Sequence, residues 1–271
     1  MAHRPVRVAI HVNSKPHQRA HGEAMRAGLA RHGIQADFAS YVEPRPCDVA
    51  VVWGWKQSRV IESGARILCM ERGHLQDRMV YASLGWDGLG NRGRYPKAPD
   101  GERWERLFGR LLEPWKDGTH VVVFGQCPGD AALTGMASSF QAWAQRVVDE
   151  ARGFGLPIIY RPHPVILQRG DTWHPNGASL SELSLRQDIE RAAIAITYNS
   201  TSGVECVLAG APTITLDEGA MAWPVSAHEI LVPPMPDRTA WCHDMAYTNW
   251  TIDEIADGTA WELLRTVIDE P

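Results

Sequence analysis

Residues 194–216 read Ile-Ala-Ile-Thr-Tyr-Asn-Ser-Thr-Ser-Gly-Val-Glu-Cys-Val-Leu-Ala-Gly-Ala-Pro-Thr-Ile-Thr-Leu, and no other stretch constrains the fold as tightly. The apolar run over 193–197 predicts a buried strand. Asn199, Ser200, Thr201 and Ser202 follow, all residue types that cap helix N-termini. Val204, Val207 and Leu208 then recur at helical spacing, and Gly210 and Pro212 stop the helix. Residues 213–216 predict the next parallel strand. A chain with this block folds as an α/β unit. Its turn offers backbone N–H groups, hydroxyls and the positive end of a helix dipole, a combination suited to phosphate. Glu205, one turn inside the helix, can accept hydrogen bonds from a diol such as a ribose. An ordinary N-cap followed by a solvated glutamate would read the same way.

Two further strand ends favour a ligand. Residues 156–164 read Leu-Pro-Ile-Ile-Tyr-Arg-Pro-His-Pro, a short strand that delivers Arg161 and His163 in a chain stiffened by two prolines. Residues 121–130 read Val-Val-Val-Phe-Gly-Gln-Cys-Pro-Gly-Asp, a strand ending in a turn with Gln126 and Asp130. In an open parallel sheet ligands bind beyond the carboxyl ends of the strands. Three such ends in one domain point to a nucleotide or sugar-phosphate site.

Gly-Gln-Cys-Pro-Gly-Asp, Arg-Pro-His-Pro and Asn-Ser-Thr-Ser-Gly-Val-Glu, in that order, resemble the capsular-polysaccharide synthesis family of glycosyltransferases, which are Kdo-transferase-like. The resemblance covers roughly 121–216. It implies a GT-B-like fold of two Rossmann-like domains with C-terminal helices, and a nucleotide-sugar donor, a UDP- or CMP-sugar. It also implies that His163, Ser200, Thr201 and Ser202 contact the donor nucleotide. The N-terminal half, with Trp53-Gly54-Trp55-Lys56, Glu71-Arg72-Gly73-His74 and Ser83-Leu84-Gly85-Trp86-Asp87-Gly88, looks more like short phage-encoded glycosyltransferases.

The length, 271 residues, allows one large or two compact domains. Five cysteines, odd in number and with no CxxC pair, support neither a disulfide framework nor a zinc site. Without a signal-peptide core or a long apolar run, the sequence is expected to be cytoplasmic with no membrane partner. The net charge of −5 hides an asymmetry. Residues 1–115 carry 18 Lys and Arg against 12 Asp and Glu, a surplus of +6, and the remainder carries the opposite balance. A basic half on an acidic protein fits a polyanionic acceptor, although charged residues also simply solvate helix faces.

Taken in order, 6–12, 35–41, 48–53 and 66–70 predict strands, and 21–32 predicts an amphipathic helix after a polar turn at 13–18. Residues 75–100, rich in glycine and proline, read as a long irregular loop. The expected boundary lies at 115/116, between an acceptor-binding domain, 1–115, and a nucleotide-sugar-binding domain, 116–271. Two helices are expected over 238–247 and 252–268, and the resemblance implies that the terminal one crosses back onto the first domain.

Sugar transfer requires an anchored donor, an activated acceptor hydroxyl and stabilised leaving-group charge. Donor binding is expected from Gln126, Asp130, Arg161, His163, Asn199, Ser200, Thr201, Ser202 and Glu205. With no Asp-x-Asp sequence, neither an obligatory metal nor another cofactor is expected. Glu71 and Asp87 are the candidate general bases. Trp55, Lys56, Arg72, Trp86, Arg92 and Arg94 are the candidate acceptor contacts. The favoured acceptor is a hydroxymethylated base, such as hydroxymethylcytosine, in double-stranded phage DNA. The alternatives are a capsular or lipid-linked glycan, or a non-catalytic nucleotide-sugar or nucleic-acid binding module.

Overall fold

The structure, a computed structural model, describes residues 6–55 and 58–269. The chain forms two compact units, Met1–Leu107 together with Cys242–Pro271, and Phe108–Trp241.

The first unit is built on β1 (Val8–His11), β2 (Ala36–Phe38), β3 (Val49–Trp53), β4 (Arg66–Arg72), β5 (Tyr81–Trp86) and β11 (Asn249–Thr251). Their order in the sheet is β11-β5-β4-β3-β1-β2. Strands β1 to β4 are parallel, and β5 runs antiparallel to β4 and to β11. All five residues of β3 are buried, as its continuous apolar run requires. Helix α1 (Pro16–Arg31) begins earlier than its apolar pattern suggests. Pro16 occupies its first turn, and buried Gln18 and His21 continue the inner face of Ala24, Met25 and Leu29. Polar residues on a buried face disguised that first turn as a loop. Short helices α2 (Ser58–Ile61) and α3 (Glu102–Leu107) follow.

The expected loop at 75–100 contains β5, whose six residues are all buried. Gly85 hid it: a Cβ there would lie 2.7 Å from the Tyr95 ring, so glycine marks close packing inside a strand.

The second unit carries β6 (His120–Phe124), β7 (Ile158–Arg161), β8 (Ser179–Leu180), β9 (Ala192–Thr197) and β10 (Thr213–Thr215), all parallel in the order β10-β9-β6-β7-β8. Helices α4 (Phe140–Ala151), α5 (Pro164–Gln168), α6 (Leu185–Arg191) and α7 (Ser202–Leu208) connect them. Trp143, Val147, Val148 and Ala151 of α4 pack on Val121, Val123, Ile194 and Ile196, while Ile189 and Cys206 pack with Val122 and Ala195. The sheet is thus apolar on both faces, as a doubly wound sheet must be.

The chain divides at 107/108 and again at 241/242 rather than once at 115/116. Residues 108–115 pack with the second unit: Glu113 N–H donates to Leu208 O and Lys116 N–H to Gly210 O. Gly210, at φ +76°, lets the Pro114 carbonyl approach so closely that a Cβ would collide with it. Arg238 stacks on Trp115 and donates to Glu113 O and Val207 O.

After α8 (Thr239–Ala246), β11 pairs with β5, and α9 (Ile252–Ala256) and α10 (Thr259–Asp269) follow. The expected single terminal helix is broken at Gly258, φ +89°. Thr251 and Glu254 form a capping box at the start of α9. Among the described residues no helix is long and apolar enough to cross a membrane.

Candidate functional site

In the second unit, β6, β7 and β9 end side by side and place their following turns at one sheet edge. Gly125 permits the turn after β6, since its N–H donates to Arg161 O at 2.7 Å and a Cβ would lie 2.6 Å from the Tyr160 hydroxyl. Gln126, buried, and Asn199 bond reciprocally: Gln126 Nε2 donates to Asn199 Oδ1 at 2.9 Å, and Asn199 N–H to Gln126 Oε1 at 3.0 Å. Asn199 Nδ2 also donates to Ala132 O and Asp217 Oδ1. The side-chain amides expected to contact a donor are instead engaged with each other and with the turn after β10. Their geometry fixes the two turns, a supporting role the sequence reading did not assign.

The hydroxyls divide similarly. Ser200 N–H donates to Thr197 Oγ1, and Ser200 Oγ accepts from Ser202 N–H at 3.3 Å, an ST-turn that leads into α7. Thr201 occupies the N-cap position with αR backbone and no side-chain capping bond. Ser202 Oγ is buried with no hydrogen-bond partner among the described residues. Such a hydroxyl is costly unless something completes it. Gly203 lets α7 approach β9, its would-be Cβ 3.1 Å from the Thr197 methyl. Helix α7 has only seven residues, so its dipole contributes less than the sequence pattern suggested, and side chains must dominate any anion contact here. Glu205 is half-buried in its first turn. Asp130 is exposed in the turn after β6.

At the end of β7, His163 caps α5, its Nδ1 accepting from Val165 N–H at 3.2 Å. In the neutral ring that bond places the proton on Nε2, making that nitrogen a donor. Arg161 departs from expectation. Its Nη1 donates to Asp188 Oδ2 at 2.6 Å and to Leu183 O at 2.7 Å, and lies 3.4 Å from Ser181 Oγ. Asp188 is 1% exposed, so Arg161 is held in a largely buried ion pair. Its charge neutralises Asp188 and anchors the segment after β8, so Nη1 is engaged within the protein.

In the first unit the candidates separate by edge. Strand β4 delivers Glu71 and Arg72 at the carboxyl edge. Glu71 is half-buried, its Oε1 accepting from Arg72 N–H at 2.9 Å. Gly54, at φ +71°, turns the chain after β3, and a Cβ there would lie 3.5 Å from Glu71 Oε2. Cys69 and Glu71, two residues apart on β4, share one face of the sheet, and charge on Glu71, after burial, helps raise the Cys69 thiol pKa. Trp55 is half-buried against Ala50, Val52, Val60, Ile67 and Cys69. Lys56 lies outside the described residues.

Asp87, Arg92 and Arg94 lie at the opposite edge. Because β5 is antiparallel, Trp86 pairs with Leu68 near the start of β4, and its following turn sits among the amino ends of the parallel strands. Asp87, at φ +54°, accepts from Ile67 N–H through Oδ1 and from Arg94 Nη2 through Oδ2 at 2.8 Å. Both carboxylate oxygens therefore hold a turn, and Asp87 is no general base. Trp86 is 0% exposed, its Nε1 donating to Leu264 O and its ring tilted against Trp261, so it cannot stack on an acceptor. Arg92 and Arg94 share that amino edge, which removes them from the acceptor contacts.

Sequence reasoning also missed residues at the carboxyl edge. His17 and His21, at i and i+4 on α1, pack edge-on against Trp53 at 5.1 and 5.4 Å between ring centroids. The expected helix, starting at 21, held His21 but left His17 in the preceding turn, so their i, i+4 pairing on α1 went unread. Among the described residues no three His, Cys, Asp or Glu side chains converge as a metal-ligand set.

No protein-family model matches the chain, and no curated protein matches its sequence. Among solved structures it is similar to KpsC of Thermosulfurimonas dismutans. One structure, the beta Kdo 2,7 transferase, has a TM-score of 0.57 and 15% identity over 96% of this chain and 99% of that one. The other, the beta Kdo 2,4 transferase, has a TM-score of 0.56 and 13% identity over 89% and 91%. At these identities the likeness is one of fold, and with the two sheets described above it identifies the chain as an α/β protein of two Rossmann-like units of the GT-B kind.

Proposed function

We propose that the protein is a glycosyltransferase that moves a sugar from a nucleotide-sugar donor, a UDP- or CMP-sugar, to the hydroxyl of a glycan acceptor. The observation that carries this reading is the carboxyl edge of the second sheet. There the reciprocal Gln126–Asn199 pair holds the turns after β6 and β9, the second of which leads to the buried Ser202 hydroxyl, without a partner among the described residues, while the turn after β7 carries His163. His163 Nε2 and Ser202 Oγ would donate to the donor phosphate, with Ser200, Thr201 and Asp130 bordering them and Glu205 receiving the ribose diol. The likeness of the whole chain in fold to two Kdo transferases supports the same class.

Glu71 is the group we assign to the acceptor hydroxyl. In transfer, that oxygen bonds to the anomeric carbon as the bond between that carbon and the phosphate oxygen breaks. The hydroxyl proton passes to Glu71 and the negative charge leaves with the nucleotide. The half-buried position of Glu71 beside Gly54 suits a base that meets its substrate at a strand end.

A glycan acceptor replaces the hydroxymethylated DNA base on one observation. The arginine-bearing turn after β5 lies at the amino edge of its sheet, with Arg94 paired to Asp87, away from Glu71. The test is calorimetry with UDP- and CMP-sugars on the full chain. Saturable binding that weakens by about 1–3 kcal/mol in Ser202→Ala and His163→Ala is expected. Donor binding equal to wild type in both variants would remove the site.

A further inference from the structure

Arg161 is only half committed to the ion pair that holds it. It ends β7 on the face of the second sheet that packs α6, since Phe124, its register partner, and Ile159, two residues before it, both pack with Ile189. There Asp188, in the first turn of α6, accepts from Arg161 Nη1 and from Ser181 Oγ, each at 2.6 Å and both through Oδ2. The capping box of Ser184 and Gln187 fixes the start of that helix. Leu183 O takes a second bond from Nη1 at 2.7 Å. Among the described residues every hydrogen bond to this guanidinium runs to Nη1. Nε and Nη2 have no partner there, yet neither is a buried unsatisfied atom, so both reach the surface of a side chain that is 19% exposed. Nε–H and the Nη2–H beside it form the side-on fork of a guanidinium, two parallel donors that match the oxygens of a phosphate. Anchoring through Nη1 alone leaves that fork open. Arg103 is the contrasting case, with Nε, Nη1 and Nη2 all donating to protein atoms. Ser202 belongs to the same face as Arg161, because α7 packs through Cys206 into the cluster that holds Phe124 and Ile189. Only β6 separates β7 from β9, so about 10 Å, two strand spacings, lies between the strand ends that lead to Arg161 and to α7.

We propose that the open Nε–Nη2 fork of Arg161 clamps an oxyanion of the donor phosphate, and that buried Asp188, which touches no ligand, is the positioning residue that aims it. This rests on the transferase reading for the identity of the ligand and on the half-anchored guanidinium for its chemistry. Asp188 offsets much of the arginine's charge, so the clamp acts through two directed bonds rather than through net charge. The Ser202 hydroxyl, across β6 on the same face, would donate to the same phosphate.

The experiment follows the Arg161 Nε–H resonance of the full chain by NMR, with calorimetry in parallel. The probes are CMP, UDP and inorganic phosphate, with cytidine and uridine as phosphate-free controls. A saturable shift is expected with a nucleotide and none with either nucleoside. Arg161→Lys, which removes the fork and keeps the charge, should weaken nucleotide binding at least about tenfold and leave any nucleoside affinity unchanged. Asp188→Asn sets charge against aim. Loss of negative charge alone would tighten anion binding, whereas loss of aim should weaken it about threefold or more, the scale of one hydrogen bond. Urea melts check that each variant folds. If Asp188→Asn does not, Ser181→Ala, which strips one donor from the same carboxylate oxygen, should weaken nucleotide binding in the same direction. A resonance that stays still at saturating nucleotide, or nucleotide affinity unchanged in Arg161→Lys, overturns the clamp, and tighter binding in Asp188→Asn overturns the positioning role. Binding that survives Arg161→Lys but weakens in Ser202→Ala removes the clamp and keeps the donor site. A fork that responds to phosphate in a chain that binds neither nucleotide nor nucleotide sugar keeps the anion clamp and removes the transferase reading.

Discussion

Arg103→Met should loosen the returning C-terminal segment from the first unit without disturbing the second. Arg103 is 6% exposed and spends its guanidinium on three backbone or side-chain partners from that segment. Nε donates to Ala246 O at 2.9 Å, Nη2 to Asn249 O at 2.7 Å, and Nη1 and Nη2 to the two Glu254 carboxylate oxygens at 2.5 and 2.9 Å. The guanidinium also lies 4.4 Å from the Trp250 ring centroid. Methionine keeps much of the apolar stem but leaves a part-buried carboxylate and two carbonyls without their donor. Breaking a buried pair by removing one partner costs about 3–5 kcal/mol. The double variant Arg103→Met with Glu254→Gln should recover part of that loss, because the uncompensated charge is gone. Burial opposes ionisation of Glu254, but the bonds from Arg103 and Thr251 outweigh it, and the pKa falls below the ordinary 4.5. A depressed carboxylate pKa contributes stability above the unfolded value that is lost as pH falls through the folded value. Wild type should therefore lose this contribution below about pH 4.5, and Arg103→Met should not. Because two units need not unfold together, hydrogen exchange of β5 and β11 amides is the right assay, alongside urea melts. A loss under about 1 kcal/mol, or faster exchange mainly in β6 and β9, would refute the reasoning.

Other expectations concern the sites. Glu71→Gln should lower transfer by about 10²–10⁴-fold with donor affinity kept, while Asp87→Asn should change turnover only a few-fold, as judged by steady-state kinetics. The paired variant Arg92→Ala with Arg94→Ala should leave transfer to a glycan acceptor within about threefold, since the exposed Arg94–Asp87 ion pair is worth about 1 kcal/mol or less; a tenfold fall would return that turn to the acceptor site. Gly210→Ala should destabilise the second unit by about 2 kcal/mol or more, read by urea melts, because φ is positive and the Pro114 carbonyl blocks the methyl. Asn199→Ala should weaken donor binding indirectly, by releasing Gln126 and Asp217 together, with exchange of the turn amides rising in step.

Much of the fold was legible because its strands are either continuously apolar, like β3 and β6, or bounded by clear turn chemistry, like β7 and β9. The capping box at Thr251 and Glu254 was readable for the same reason. Strand β5 was not, because Gly85 and Ser83 interrupt its pattern, and the reason for Gly85 is the Tyr95 ring, a contact from outside the strand. Misreading β5 as a loop carried Trp86, Asp87, Arg92 and Arg94 to the wrong edge, since only the antiparallel pairing with β4 reveals which end of the sheet they occupy. Arg161 was correctly placed at a strand end, yet its partner Asp188 comes from α6, a pairing that sequence distance conceals. The boundary near 115 failed for a similar reason: Arg238 and Gly210, both far along the chain, hold residues 113–116 to the second unit.

The most direct test of the central claim is product analysis by mass spectrometry after the full chain is incubated with UDP- and CMP-sugars and a panel of neutral and acidic glycans. Transfer should appear as a mass increase of one sugar on a glycan, with equimolar nucleotide released, and should fall sharply in both Glu71→Gln and Ser202→Ala. If the folded chain consumes no nucleotide sugar, or if both variants transfer at the wild-type rate, the proposed activity is wrong.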